Sequence, residues 1–129
     1  MKIDIQSVSI CFSQDENVVA AWIFGSSRNG NVRPEGDIDM GVLFRRKPLL
    51  DELVGLRSCL QQVLSFDDID LVTLNDASAI LRFEAVSGRP VYVVDAEERA
   101  GFVSLTAREY EDEMAQWRMA LTKICLKNN

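Results

Sequence analysis

Asp37 and Asp39 stand at the head of an apolar run, and ten residues, Ser27 to Gly36, separate Asp37 from the pair Gly25-Ser26. An apolar run from Val18 to Phe24 leads into that pair, and a second from Met40 to Phe44 follows the aspartates. Residues i and i+2 of a strand share one face, so Asp37 and Asp39 are expected to point together at whatever the Gly-Ser turn holds. Two carboxylates beside a phosphate-sized turn suit a Mg²⁺-bound nucleotide, because Mg²⁺ prefers carboxylate and phosphate oxygens.

The chemistry that fits is nucleotidyl transfer. A hydroxyl attacks the α-phosphate and pyrophosphate leaves. Two divalent metals roughly 3.5–4 Å apart stabilise the attacking and leaving oxygens. One carboxylate must bridge the metals and another must orient the hydroxyl. Asp37 and Asp39 meet the first need. Asp70, in Asp67-Asp68-Ile69-Asp70-Leu71-Val72, meets the second if its strand pairs antiparallel beside Ile38–Phe44. Asp68 has the same strand phase and is the fallback. Backbone N–H groups around Gly25-Ser26 and the Ser26 hydroxyl are expected to hold the β- and γ-phosphates. Gly25 permits close backbone approach. Arg28 or Arg33 can add positive charge. Asp-x-Asp alone usually marks a solvated strand edge, and Gly-Ser alone a turn. Their combination between two apolar strands, with a third aspartate on a later apolar run, is far rarer. The chain has no histidine, which excludes histidine triads, bases and ligands and leaves carboxylates as the base.

Several elements must position these groups. Val18 to Phe24 is β-branched and aromatic and reads as a buried strand, with Ile38 to Phe44 the second. Residues 3 to 14 fit helix or strand. Pro48 suits a helix start, and Leu49, Leu53, Leu56, Leu60, Val63 and Leu64 give the amphipathic spacing. Asp67 to Leu74 reads as the third strand. Asn75 or Asp76 is expected to cap a helix patterned by Ile80, Leu81, Phe83 and Val86, stopped by Gly88 and Pro90. Val91 to Val94 is a short fourth strand. Asp95 is expected to cap a short helix, and Thr106 to Glu109 a capping box opening the last one. There Val103, Ala107, Tyr110, Met114, Trp117, Leu121 and Ile124 form one stripe.

A chain of 129 residues with 47% hydrophobic content predicts one folded domain, residues 1–129. No apolar stretch reaches the roughly 20 residues of a membrane helix, and the N-terminus lacks a signal-peptide layout. Cys11, Cys59 and Cys125 are widely spaced among apolar residues, which predicts buried reduced thiols and a cytoplasmic protein. The net charge of −6 disfavours nucleic acid and suits a basic protein partner. Glu97-Glu98 and Glu109 to Glu113 read as helix-start charge and solvated faces.

Gly-Ser, ten residues, then Asp-x-Asp resembles the signature of nucleotidyltransferases of the DNA polymerase β type. The short length, Asp70-Leu71-Val72, Ser87 to Tyr92 and the Tyr110-containing helix resemble the minimal nucleotidyltransferases, the MntA-type antitoxins of HepT–MntA pairs. The resemblance implies an α/β (α+β) nucleotidyltransferase fold, a small mixed sheet flanked by helices. It implies ATP as substrate, two Mg²⁺ ions, and transfer of AMP to a tyrosine of a HepT-like toxin. By position, Gly25 and Ser26, with Arg28, would bind the triphosphate. Asp37, Asp39 and Asp70 would bind metal, with Asp70 helping to deprotonate the hydroxyl. Many members carry Arg where this chain has Asn29, with Arg28 one place earlier. An aminoglycoside-type nucleotidyltransferase and an antitoxin acting by contact alone are the competing readings.

Overall fold

The computed structural model describes residues 1–127. The elements are α1 (Ile5–Ser13), β1 (Val18–Phe24), β2 (Ile38–Phe44), α2 (Leu50–Leu64), β3 (Ile69–Thr73), α3 (Ala79–Val86), β4 (Arg89–Val93) and α4 (Ala96–Lys127). The strands form one mixed sheet in the order β3-β2-β1-β4. The expected mixed sheet flanked by helices is thus the fold observed.

Residues 3 to 14, open between helix and strand, resolve as α1. The Asp4 carboxylate accepts from the Gln6 and Ser7 N–H groups. Val8, Cys11 and Phe12 then fall on one buried face at helical spacing. β1 is buried along its whole length, because helices cover both faces of the sheet. Ala21 and Ile23 point into a core with α1 and α2 residues such as Phe12, Leu56 and Leu60. Trp22 and Phe24 point into a second core with Leu74 and Ala85, and Phe102 packs against it.

β1 pairs antiparallel with β2 and with β4. β3, however, runs parallel to β2, opposite to the antiparallel pairing expected for it. The reason is α2: a strand–helix–strand crossover returns the chain in the same direction. Asp70 still reaches the pair, because the register sets Asp39 directly across from Asp70.

Three further expectations are corrected. Asn75 is not a helix cap, and Ser78 caps α3 by accepting from the Leu81 N–H. Asn75 instead extends the sheet past the end of β3. Its Oδ1 accepts from the Phe44 N–H at 3.0 Å and its Nδ2 donates to the Phe44 carbonyl at 2.7 Å. The short helix at Asp95 and the last helix are one continuous α4, which Asp95 caps. No proline interrupts it, Gly101 is tolerated within it, and over its first half its apolar stripe packs on α3 and the sheet through Phe102, Val103 and Tyr110. Thr106 is therefore buried mid-helix, its hydroxyl without a hydrogen-bond partner. Finally, Cys11 and Cys59 are joined as a disulfide with Cα atoms 5.9 Å apart, and Cys125 is exposed. α1 packs on α2, which brings together two positions that sequence spacing keeps far apart. No described helix is long and apolar enough to cross a membrane.

Asn75 satisfies both backbone groups of Phe44 on the side where β3 has ended. Asn75→Ala leaves them without partners and is expected to destabilise the fold by about 1–3 kcal/mol. A urea denaturation series comparing midpoints at unchanged slope checks this.

Candidate active site

Three strands deliver three carboxyl-bearing or turn-bearing ends to one edge of the sheet. β1 ends at Phe24, β2 begins at Ile38 and β3 at Ile69. Phe24 pairs with Asp39 across one side of β2 and Asp70 with Asp39 across the other. Asp37 lies just before β2. Carboxylate oxygens of Asp37, Asp39 and Asp70 all fall within 4.8 Å of one another. Asp37 and Asp70 are exposed and Asp39 is half-buried.

Gly25 follows β1 in a left-handed conformation, φ +74°, and opens a short turn, Gly25–Ser27. A Cβ at position 25 would sit 2.6 Å from Asp39 Oδ2. Glycine is required here twice over: for the backbone conformation, and to let the turn lie against the carboxylate. Ser26 is exposed at the turn, Ser27 is buried with its hydroxyl unpaired, and Arg28 is exposed at the turn's end.

Asp39 carries the electrostatic strain of this arrangement. Its carboxyl titrates above the usual range, chiefly because burial disfavours the charge and then because Asp37, Asp70 and Glu84 repel it. None of the three clustered aspartates takes part in an ion pair among the described residues. Hard oxygen ligands, clustered and uncompensated, are the donor set a divalent cation needs. Beside them a cavity of about 400 Å³ is lined by Asp37, Arg57, Asp68 and Asp70, among others. Asp68 lines that cavity but stays outside the cluster, so Asp70 and not the fallback joins the pair. Arg33 and Glu35 are exposed loop residues.

Two neighbours were not singled out from the sequence. Glu84 on α3 adds charge near Asp39, and only the packing of α3 under the sheet places it there. Arg89 opens β4 at the same sheet end, with a guanidinium nitrogen 2.9 Å from where a Gly30 Cβ would be. The Ser87-Gly88-Arg89-Pro90 run was its one sequence signal. Gly88 lets β4 pass close to Phe24, since a Cβ there would meet the Ile23 carbonyl.

Two outcomes are expected. Gly25→Ala forces an alanine into the left-handed region and against Asp39, costing about 1–2 kcal/mol in urea denaturation. Asp39→Asn removes a carboxyl whose folded-state titration is raised. Such a group stabilises the fold least once it ionises, so its contribution is lost as pH rises through the raised value. In metal-free buffer Asp39→Asn should therefore melt above the wild type at neutral pH. The gap should close as pH falls below the ordinary carboxylate range, as thermal melts against pH would read.

Residues 6–97 match the family model described as polymerase beta, nucleotidyltransferase. No curated protein matches the sequence. Among solved structures, the fold is similar to a chain of a toxin–antitoxin crystal structure with AMP-PNP. That likeness has a TM-score of 0.78 at 20% identity, over 95% of this chain and 99% of the other. A structure of tri-AMPylated Shewanella oneidensis HEPN toxin in complex with MNT antitoxin gives 0.71 at 20% identity, covering 94% and 95%. A toxin–antitoxin MntA–HepT structure gives 0.70 at 20%, covering 94% and 96%. The shared fold extends over nearly the whole chain, and the matched family segment contains the Gly25 turn and all three clustered aspartates. The chain belongs to the polymerase β nucleotidyltransferase family.

Proposed function

We propose that this nucleotidyltransferase, acting as one domain over residues 1–129, transfers AMP from ATP to a tyrosine hydroxyl of a HepT-like toxin and so neutralises it. The observation that carries the reading is the meeting of Asp37, Asp39 and Asp70 within 4.8 Å beside the Gly25 turn. Two bound Mg²⁺ ions would supply the charge that steadies the attacking and leaving oxygens. Asp37 and Asp39 would hold the metals, and Asp70 would complete the set. The Gly25-Ser26 backbone N–H groups, the Ser26 hydroxyl and Arg28 hold the triphosphate. Asp70 orients the incoming hydroxyl and accepts its proton. The new bond forms between the tyrosine oxygen and the α-phosphorus, and the bond to the bridging oxygen breaks. Pyrophosphate leaves.

Two similar structures support this choice of donor and acceptor. One toxin–antitoxin complex contains AMP-PNP, and in another the HEPN toxin is tri-AMPylated. The exposure of Asp37 and Asp70 at an open sheet end also suits an acceptor presented by another protein.

Incubation with α-labelled ATP, Mg²⁺ and a HepT-type partner should place label on a partner tyrosine. Chelation with EDTA should abolish it, and Asp70→Asn should slow it by about 10²–10⁴-fold. Equal labelling by Asp39→Ala and the wild type would sink the proposal. Neutralisation that survives loss of all three aspartates would favour contact alone.

A further inference from the structure

The acidic cluster opens on one side into a space that the Gly25 turn does not share. The cavity of about 400 Å³ is lined by Asp37 and Asp70 of the cluster, by Glu35 and Asp68, and by Arg57 of α2, but by no residue of the Gly25–Ser27 turn. Across the sheet end the turn follows β1 and Asp70 lies on β3, with Asp39 between them on β2. In an in-line displacement the attacking and leaving oxygens lie on opposite sides of the phosphorus. Pyrophosphate held at the turn leaves toward β1, so the hydroxyl arrives from the β3 side, where this cavity lies. β3 is the edge of the sheet, and no described strand closes that side.

Arg57 is the one cation lining the cavity among the described residues. It is exposed and joins no ion pair among them, although four carboxylates line the same space. Its backbone is fixed, because Leu56 beside it and Leu60 one turn on are buried in the core. Gln61, four residues on and on the same flank of the helix, donates from Nε2 to the Asp67 carbonyl at 2.9 Å. The Ile38 N–H donates to the Asp68 carbonyl at 2.9 Å, which ties β2 to the same segment. An uncommitted guanidinium is thus held beside the path of the incoming hydroxyl. Its planar fork of donors matches a carboxylate. Glu35 and Asp68 disfavour a polyanion in this space, whereas a single carboxylate on a protein segment brings one charge to the fork.

We propose that Arg57 is a specificity-determining residue for the acceptor: its guanidinium binds a carboxylate that the acceptor protein carries beside its reactive tyrosine. This assignment rests on the AMP-transfer reading and adds what the acceptor must present. The tyrosine hydroxyl lies at Asp70 while a neighbouring aspartate or glutamate of the acceptor reaches Arg57. The contact is made equally before and during transfer, so it acts on the KM for the acceptor and not on kcat.

Steady-state transfer from α-labelled ATP to a HepT-type partner tests this. Arg57→Ala should raise the KM for the partner by about tenfold, as loss of one charge-assisted contact does, with kcat, the KM for ATP and the thermal melt matching the wild type. Arg57→Lys keeps the charge without the fork and should recover part of the loss. Arg57→Glu should weaken the partner further, and a charge reversal to lysine at one acidic residue beside the labelled tyrosine should restore transfer. An unchanged partner KM in Arg57→Ala overturns the inference. So does a raised KM for ATP, or an Arg57→Glu variant that no such reversal rescues. A wild type that labels no partner tyrosine overturns the AMP-transfer reading and this inference with it, so the two failures are told apart.

Discussion

Three carboxylates held within 4.8 Å of one another repel, and the rest of the structure is organised around keeping them there. The repulsion is visible in Asp39, whose carboxyl is harder to ionise than usual. Side-chain partners do not relieve it. What opposes it is backbone register: Phe24, Asp39 and Asp70 lie in neighbouring strands tied rung by rung, so the carboxylates cannot separate without breaking the sheet.

That sheet is rigid because both its faces are covered. β1, wholly buried at its centre, is clamped between the α1–α2 layer and the α3–α4 layer. Close approach depends on glycine at a few points. Gly25 makes room for Asp39, Gly41 for Leu74 and Ala85, and Gly88 for the end of β1. Beyond β3 the amide of Asn75 takes over its hydrogen bonding, so the second strand stays paired along its length. Hydrophobic burial thus supplies the stability that a cluster of like charges costs.

The site was more legible than the frame that holds it. Gly25, Ser26 and the Asp-x-Asp pair are close in sequence, and local spacing states their relation outright. Asp70 was recoverable because it interrupts an apolar run at a phase that suits a strand. The direction of that strand was misread, since pairing direction depends on the crossover through α2 and not on the strand's own residues. Asn75 and Thr106 misled for a related reason. Both are common helix caps, yet each was claimed by a tertiary demand: a missing ladder rung for Asn75, a continuous packed stripe for Thr106. Cys11 and Cys59 gave no local sign of their pairing.

The sequence by itself determined the chemistry available to this protein. It supplied a Gly-Ser turn, paired aspartates and no histidine, because chemical identity and short-range spacing need no folding to be read. It also determined the strand and helix periods, which follow from the alternation of apolar residues. Only the tertiary structure decided that Asp70 and not Asp68 joins the pair and that Glu84 and Arg89 stand at the same sheet end. It alone decided that Arg57 of α2 lines the cavity beside Asp70. Those outcomes depend on register, crossover and layer packing, which are set by contacts between residues distant in the chain.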